Sequence, residues 1–369
     1  MLVTLVAGAR PNFMKISPII KSFEKAKLGG APVEYRLVHT GQHYDKKMSQ
    51  DFFEELGIPE PHINLEAGSG TQAEQTAAIM IRFEQELIQH RPGLILVVGD
   101  VTSTMACTIT AKKLCIDAVH VEAGIRSGDI TMPEEINRIV TDSLCDHFYT
   151  TTPEAGVNLQ NNGISADRIH FVGNTMIDTL LQNLDRLRQP SCWEELGLSA
   201  NQYFLATLHR PSNVDKPENL RDLLNAIMDD TGNFKVVFPV HPRTRKILAG
   251  IEYNHPRLLQ IDPQAYLEFI YLVKHARAII TDSGGITEEA TVLNVPCMTL
   301  RNSTERPETV RIGTNELIGD DREKLSLCLR KAVNGEWKKG EIPEKWDGET
   351  AERIVASLLE IYEPGYKNA

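Results

Sequence analysis

The sequence predicts an α/β protein built from two Rossmann-like, doubly wound domains that face a cleft. The chain has 369 residues, about twice the length of an ordinary domain. Near-continuous apolar runs of strand length alternate with segments of helical spacing, on both sides of about residue 190. Polar side chains are concentrated where the apolar runs end, as expected if ligands bind at the carboxyl edges of parallel sheets.

The first half opens with the apolar run LVTLVAG at 2–8, which predicts a buried strand ahead of a helix. Arg10 lies at the carboxyl end of this strand, and Lys15 lies about one helical turn further on. Two cations there could hold a diphosphate, while Lys15 alone is more typical of a solvated surface. Further strands are predicted at 34–43, 93–100, 118–124, 147–152 and 168–174.

Carboxylates end two of these strands, at Asp100 and Glu122. Because the ends of parallel strands converge at one edge of an open sheet, we expect these side chains to lie near one another. Glu134 follows Pro133 in the first turn of the next helix, where an acidic residue is also a usual capping feature. Carboxylates that approach one another have raised pKa values, which suits general acid–base catalysis.

The segment TDSGGITEE at 281–289 joins a predicted strand to a predicted helix. Residues 283–285, Ser-Gly-Gly, allow a sharp turn, and the first turn of a helix offers unpaired N–H groups and a partial positive charge. The junction therefore predicts a phosphate site, although a tight turn alone would need the same glycines. Either Glu288 or Glu289 could accept hydrogen bonds from a ribose diol.

Histidine and arginine recur after the other strands of the second half. The strands predicted at 203–210 and 234–241 end at His209 and His241, and Arg306 lies in a later loop. This recurrence favours an anion site over scattered surface charges. The two histidines lie on separate strands without a third ligand at metal-site spacing, so we expect no metal.

A break at Gln189-Pro190-Ser191 places the hinge within about 173–190. We expect an N-terminal domain at 1–175, a C-terminal domain at 176–349, and an amphipathic helix at about 350–369 that packs back on the first domain.

The composition excludes several classes of protein. A net charge of −11 argues against nucleic-acid binding and against an anionic membrane surface. Apolar runs are too short to span a membrane or to form a signal peptide, which favours a cytoplasmic location. The six cysteines form no CxxC pair and indicate free thiols. A Walker-type glycine-lysine loop is missing, so ATP use is not expected.

Nine motifs together resemble the non-hydrolysing UDP-N-acetylglucosamine 2-epimerases. They are GARPNFMK (8–15), VGDVTST (98–104), HVEAGIRS (120–127), MPEEINR (132–138), TLHRPSN (207–213), FPVHPRT (238–244), IDPQAYLEF (261–269), TDSGGITEE (281–289) and STERPE (303–308). The resemblance implies a glycosyltransferase-B-like fold, a homodimer and no cofactor. It also implies interconversion of UDP-GlcNAc and UDP-ManNAc for surface polysaccharide synthesis, by elimination and re-addition of UDP through a glycal.

The resemblance also implies roles for single residues. Asp100, Glu122 and Glu134 are the acid–base candidates, and Lys15, Arg10 and His209 would assist the departing diphosphate. Glu289 would hold the ribose, and Gln264 and Phe269 would line the uracil side. The remaining substrate contacts would be Arg138, His241, Ser283, Gly284, Gly285 and Arg306.

The chain departs from the best-known bacterial branch at Ala9, Asn12-Phe13 and Met132. Gln42 and His43 match a segment that binds an activating UDP-GlcNAc in some members, but Tyr44 and Asp45 differ from it, which leaves such activation open. Related enzymes epimerise UDP-2,3-diacetamido-glucuronate, which leaves the sugar substituents open. A glycosyltransferase of the same architecture and a sugar-nucleotide sensor are the competing hypotheses.

Overall fold

The structure, a computed structural model, describes residues 1–41 and 53–363, without the side chains of residues 242 and 243. Gln42 and His43 therefore lie outside the described residues. The chain divides into two compact units. Unit 1 comprises Met1–Gln182 and the C-terminal segment from Glu344, and unit 2 comprises Asn183–Pro343. The sequence had indicated divisions after residues 175 and 349.

Unit 1 contains a seven-stranded parallel sheet in the order β3-β2-β1-β4-β5-β6-β7. Its strands are β1 Leu2–Ala7, β2 Glu34–His39, β3 Ile63–Asn64, β4 Leu94–Val98, β5 Asp117–Val121, β6 His147–Thr150 and β7 Ile169–Phe171. Its α-helices are α1 Arg10–Leu28, α2 Gln72–Gln89, α3 Thr102–Lys113, α4 Pro133–Leu144, α5 Pro153–Asn161, α6 Thr175–Asn183 and α15 Thr350–Tyr362. Residues 53–56 are also helical, and Ala166–Arg168 form a 3₁₀ turn.

Unit 2 contains a six-stranded parallel sheet in the order β10-β9-β8-β11-β12-β13. Its strands are β8 Tyr203–Thr207, β9 Lys235–Pro239, β10 Leu258–Ile261, β11 Ala278–Thr281, β12 Cys297–Thr299 and β13 Asn315–Leu317. Its α-helices are α7 Cys192–Glu195, α8 Pro211–Val214, α9 Pro217–Asp230, α10 Pro242–Gly250, α11 Tyr266–His275, α12 Ile286–Val292, α13 Pro307–Arg311 and α14 Arg322–Asn334. A 3₁₀ turn, Leu184–Arg186, precedes them.

Both strand orders reverse direction beside the first strand of the unit. In unit 1 this switch point lies between β1 and β4, and in unit 2 between β8 and β11. In open α/β sheets the loops after the two strands at such a point diverge and leave a crevice for a ligand. The predicted doubly wound fold class is confirmed. The predicted strands are all shorter in the structure, because the polar residues after them belong to loops.

The apolar runs form the cores that the sequence predicted. All five residues of β4 are buried, as are the central residues of β8 and β9. All six cysteines are free, and only Cys115 is exposed. Among the helices of the described residues, none has the length and apolar character needed to cross a lipid bilayer.

The C-terminal helix α15 packs on α1 within unit 1, and Asp178 holds its first turn. The carboxylate of Asp178 is fully buried and accepts hydrogen bonds from the backbone N–H groups of Thr350 (3.2 Å) and Ala351 (2.7 Å).

We expect Asp178→Ala to lower the free energy of unfolding by about 2 kcal/mol, because it leaves two buried donors without an acceptor. Amide exchange across α15 should accelerate accordingly. Glu352→Ala, at an exposed ion pair of the same turn, should change exchange little, and equal effects would contradict the capping role.

His39, at the end of β2, makes stability depend on pH. Burial lowers its pKa from 6.5 to about 4, and its Nδ1 accepts a hydrogen bond of 2.7 Å from the Gly41 N–H. The folded state therefore binds fewer protons than the unfolded state between these values. This contribution, roughly 3 kcal/mol, is present above the unfolded pKa and is lost as pH falls toward the folded pKa. In chemical denaturation between about pH 7 and 4, His39→Asn should lose stability less steeply than wild type, by about one proton. Parallel profiles would show that His39 does not titrate in this way.

Candidate functional site

The side chain of Asn12 connects the turn after β1 to the end of β4 through hydrogen bonds. Its Oδ1 accepts the backbone N–H groups of Gly8 and Ala9, both at 3.1 Å, and its Nδ2 donates to the Val98 carbonyl at 3.0 Å. Gly8 has no room for a side chain, because a Cβ there would lie 2.1 Å from Ser103 Oγ. Arg10 is exposed at the start of α1, and Lys15 lies one turn further along.

Lys15 forms an ion pair with Glu122, which follows β5. Their side chains are 13% and 3% exposed, so the pair is shielded from water. The strand between them, β4, is followed by Gly99 with φ +65°, and a Cβ there would lie 2.9 Å from Lys15 Nζ and 3.3 Å from Glu122 Oε2. The missing side chain of Gly99 thus lets a cation after β1 reach a carboxylate after β5.

Asp100 follows Gly99 in sequence, and its carboxylate pairs with the guanidinium of Arg138 on α4. Arg138 Nη2 and Nε lie 2.6 and 3.1 Å from Asp100 Oδ2. The side chain of Asp100 is 29% exposed, and that of Arg138 is 6% exposed. Asp100 and Glu122 are therefore each paired with a cation, whereas the sequence had suggested a cluster of mutually repelling carboxylates.

The two acidic residues at the start of α4 point in different directions. Glu134 is exposed, and its side chain makes no hydrogen bond or ion pair to other residues of the described ranges. Glu135 is buried and accepts from Ser127 N–H (2.9 Å), Gly128 N–H (3.2 Å) and Arg138 Nη1 (2.8 Å). Burial acts to raise the pKa of Glu135, but these donors outweigh it and hold the pKa below its usual value. Glu135 orders the loop that leads into α4.

Sequence reasoning missed a buried network behind this edge of the sheet. His120 on β5 is fully buried, with Nδ1 2.7 Å from Asp142 Oδ1 and Nε2 2.8 Å from the Gly99 carbonyl oxygen. Asp142 also accepts from Gly124 N–H (3.2 Å) and pairs with Arg126 (2.6 Å). Burial acts to raise the pKa of Asp142, but His120 and Arg126 outweigh it and lower the pKa. The network ties β5 to α4 and supports Gly99.

In unit 2, Asp282 follows β11 at the switch point and holds the loop after β8 by hydrogen bonds. It is fully buried, and its carboxylate accepts backbone N–H groups of His209 (3.0 and 3.1 Å) and Arg210 (2.9 Å) and the side-chain amide of Asn213 (3.1 Å). His209 Nδ1 lies 2.9 Å from Asp282 Oδ1. Burial acts to raise the pKa of Asp282, but these donors outweigh it and lower the pKa.

The Ser-Gly-Gly turn follows directly. Thr281 Oγ1 accepts the Ser283 N–H at 2.9 Å, which leaves the next two amides for other partners. Gly285 is exposed and faces open space, while a Cβ on Gly284 would lie 3.1 Å from Arg301 Nη1. Thr287 Oγ1 donates to the Gly284 carbonyl at 2.7 Å and closes the first turn of α12.

Two neighbouring carboxylates on α12 are buried. Glu288 forms an ion pair with Arg306, and Glu289 accepts a hydrogen bond of 3.0 Å from the Tyr266 hydroxyl. Burial raises the pKa of Glu289 to about 7, although the tyrosine hydrogen bond partly offsets this effect. The side chain of Arg306 is 9% exposed, so this cation is largely withdrawn from solvent.

The other predicted contacts of unit 2 lie after β9 and β10. His241 is exposed at the start of α10. Gln264 is half-buried and donates to the Asp262 carbonyl at 2.7 Å, and Phe269 is half-buried on α11. In the described part of the chain, no group of three or more His, Cys, Asp or Glu side chains is arranged to hold a metal ion.

Comparison with known proteins decides the family. The model of the UDP-N-acetylglucosamine 2-epimerase family matches residues 27–359. The chain belongs to this family. The UDP-N-acetylglucosamine 2-epimerase of Methanocaldococcus jannaschii is 40% identical over 372 residues, which cover 97% of this chain and 99% of the relative. A crystal structure of that enzyme in complex with UDP-GlcNAc and UDP gives a TM-score of 0.85 over the same shares, at 40% identity.

Membership of the UDP-N-acetylglucosamine 2-epimerase family makes the protein an enzyme of the isomerase class. The UDP-2,3-diacetamido-2,3-dideoxy-D-glucuronate 2-epimerase of Pseudomonas aeruginosa is 38% identical over 337 residues, 90% of this chain and 92% of the relative. A lipopolysaccharide outer core galactosyltransferase matches with a TM-score of 0.59 and 14% identity over 98% of this chain and 100% of its own. This last likeness concerns the fold alone and agrees with the predicted glycosyltransferase-B-like class.

Proposed function

We propose that the protein is a non-hydrolysing UDP-N-acetylglucosamine 2-epimerase that interconverts UDP-GlcNAc and UDP-ManNAc. The observation that carries the proposal is the switch point of unit 1, where Glu122 and Asp100 are each paired with a cation. A carboxylate can take a proton, and a cation beside it can stabilise the negative charge of a departing diphosphate. Pure recognition of an anionic ligand would gain nothing from such carboxylates.

The reaction that this chemistry suits is elimination followed by re-addition. The C-2 proton passes to a carboxylate, its bonding electrons form the C-1=C-2 double bond, and the C-1–O electrons leave with UDP. The glycal is then protonated at C-2 on the opposite face, and UDP adds back at C-1. We assign the proton transfers to the acids of unit 1, with Lys15, Arg10 and His209 assisting the departure of UDP. The acid candidates are Asp100, Glu122 and Glu134.

We assign recognition of the nucleotide to the loops of unit 2. The turn Ser283-Gly284-Gly285 would hold phosphate oxygens, with the N–H groups of Gly284 and Gly285 as backbone donors, since the Ser283 N–H already donates to Thr281 Oγ1. Glu289, a buried carboxyl with one tyrosine partner, would gain hydrogen bonds from a ribose diol. Gln264 and Phe269 would contact the uracil. Arg306, His241 and, from unit 1, Arg138 would contact the sugar diphosphate.

Incubation with UDP-GlcNAc in deuterated water tests the proposal. An epimerase must place deuterium at C-2 of both sugar nucleotides with no acceptor present. Release of free UDP from unlabelled sugar would instead support a glycosyltransferase of the same architecture. A protein that binds UDP and leaves the sugar unchanged would be a sensor or would act on another substrate.

The sequence identity of 38% to the Pseudomonas aeruginosa relative supports one alternative substrate, UDP-2,3-diacetamido-2,3-dideoxy-D-glucuronate. The two candidates differ at C-3 and C-6 of the sugar. Parallel measurements of kcat/KM on both nucleotides decide between them, and a clear preference for the uronate would replace the substrate that we propose.

A homodimer is part of the proposal, and its support is an apolar face on unit 1. Helices α2, α3 and α4 pack side by side, and the outer pair expose isoleucines at helical spacing. These are Ile81 and Ile88 on α2 and Ile136 and Ile139 on α4, and each residue is 42–66% exposed. Exposed large apolar side chains on neighbouring helices are typical of interfaces.

Light scattering after size exclusion tests the dimer. The double variant Ile88→Glu with Ile139→Glu should shift the protein from dimer to monomer, because two charges would be buried at the interface. Leu28→Glu, at a 90% exposed position outside this face, should stay dimeric. A monomeric wild type, or a dimeric double variant, would refute the assignment.

We further propose a cytoplasmic location and a role in supplying sugars for surface polysaccharide. Cell fractionation tests the first proposal. Glycan analysis of a strain that lacks the gene tests the second, since a surface polysaccharide with unchanged ManNAc-derived sugar content would contradict it.

A further inference from the structure

The carboxylate of Asp282 collects its hydrogen bonds from one short segment. The donors are the backbone N–H groups of His209 and Arg210 and the Asn213 side chain, at 2.9–3.1 Å. A fully buried carboxylate needs several donors to remain charged. Asp282 thereby fixes the turn that leads from β8 into α8.

Asp282 also determines which nitrogen of His209 is available. The Asp282 pKa lies below its usual value, so this side chain is an ionised acceptor near neutral pH. His209 Nδ1, at 2.9 Å, must then carry the hydrogen that faces Asp282. The imidazole side chain is 50% exposed, and its Nε2 has no hydrogen-bond partner among the backbone and side-chain groups that the structure describes. Nε2 is consequently the nitrogen offered to a ligand.

We propose that Asp282 is a positioning residue that fixes the tautomer and orientation of His209, so that Nε2 contacts the diphosphate of a UDP-sugar. This inference rests on the proposed function, in which His209 assists the departure of UDP. The same logic governs hydrolases, where a buried carboxylate on Nδ1 prepares the opposite nitrogen of the catalytic histidine. Asp282 itself does not touch the substrate.

The role of His209 in the elimination can be written with its balance. The C-1–O bond breaks, and its electron pair goes to the β-phosphate oxygen of UDP. The C-2 proton goes to a carboxylate of unit 1, and its bonding pair forms the C-1=C-2 double bond. Because Asp282 holds the Nδ1–H, His209 can donate at Nε2 only as the imidazolium. The ring therefore takes a proton from solvent on Nε2 when the UDP-sugar binds and donates this Nε2–H to the β-phosphate oxygen, and any proton transferred there returns when UDP adds back. His209 therefore ends each cycle in its starting state.

The first test observes the ring directly in the full-length protein, by NMR of ¹⁵N-labelled histidine, with His209→Asn to assign the signals. We expect a hydrogen on Nδ1 in the wild type and a shift of the Nε2 resonance when UDP is added. Asp282→Asn presents an amide N–H to Nδ1 and should move the hydrogen to Nε2. A wild-type ring with its only hydrogen on Nε2, or an Nε2 signal that ignores bound UDP, would overturn the proposal. This readout does not require the epimerase reaction, so it is separable from failure of the proposed function.

The second test is a double-mutant cycle on turnover. Asp282→Asn should lower kcat by about 10²-fold or more and change KM far less, because orientation matters most in the transition state. Adding Asp282→Asn to His209→Asn should cause little further loss, since coupled residues are not additive. Asp230→Asn removes the same charge from the far end of α9 and should retain wild-type turnover. A double variant that is slower by the product of both single effects would show that Asp282 acts independently of His209.

Discussion

Asp100→Asn is expected to lower epimerase turnover by about 10²-fold or more while UDP binding stays close to wild type. Asparagine keeps the size of aspartate and still offers an oxygen to Arg138, which lies 2.6 Å from the carboxylate. It cannot take up the C-2 proton, however. The loss should therefore appear in kcat and in deuterium incorporation at C-2, whereas calorimetric titration with UDP should show a nearly unchanged Kd.

Asp117→Asn is a matched control for this prediction. Asp117 begins β5 in the same unit, so it lies at the amino-terminal end of the strand, away from the carboxyl ends where Asp100 lies. Its side chain is 48% exposed. The control should have wild-type turnover, because it removes the same charge far from those carboxyl ends. If Asp100→Asn also turned over normally, Asp100 would be removed from the acid–base candidates, and Glu122 and Glu134 would remain.

Sequence reasoning chose the candidate site residues from the ends of strands. Polar residues after buried apolar runs marked Asp100, Glu122 and His209, and parallel topology places such residues at one edge of each sheet. The contact between Lys15 and Glu122 was less accessible from sequence, since β4 lies between their strands. It depends on Gly99, whose missing side chain could be interpreted only once the strand order was known.

Several supporting residues carried no local signal. His120 and Asp142 occupy ordinary positions within a strand and a helix, and their hydrogen bond of 2.7 Å exists only because β5 and α4 pack together. Glu134 and Glu135 were equivalent as acids in a first helical turn. The rotation of α4 against the sheet decides that Glu135 is buried and Glu134 is exposed, and this rotation is set by tertiary packing.

Glu122 combines a proposed acid–base side chain with an unfavourable backbone conformation, so that turnover and stability of its variants should follow different rules. Its φ of +70° lies in the left-handed region, which costs a residue with a Cβ roughly 1–2 kcal/mol. Its backbone N–H, and that of Ala123, donate to the Tyr149 carbonyl at 3.0 and 3.1 Å and hold this conformation. We expect Glu122→Ala and Glu122→Gly both to lose turnover by about 10²-fold or more, because Lys15 loses its partner and the site loses an acid.

The stability of these two variants should follow the backbone. In ordinary structure glycine is less stable than alanine by about 0.5–1 kcal/mol. At position 122 glycine avoids the left-handed penalty, so Glu122→Gly should unfold no earlier than Glu122→Ala, a reversal of the usual order. Chemical denaturation of both variants, with Glu122→Gln as the shape-conserving reference, measures the difference. If Glu122→Ala were instead more stable than Glu122→Gly by about 0.5–1 kcal/mol, the backbone at position 122 would be unstrained. Any stability that both variants lose would then come from the broken Lys15–Glu122 ion pair alone.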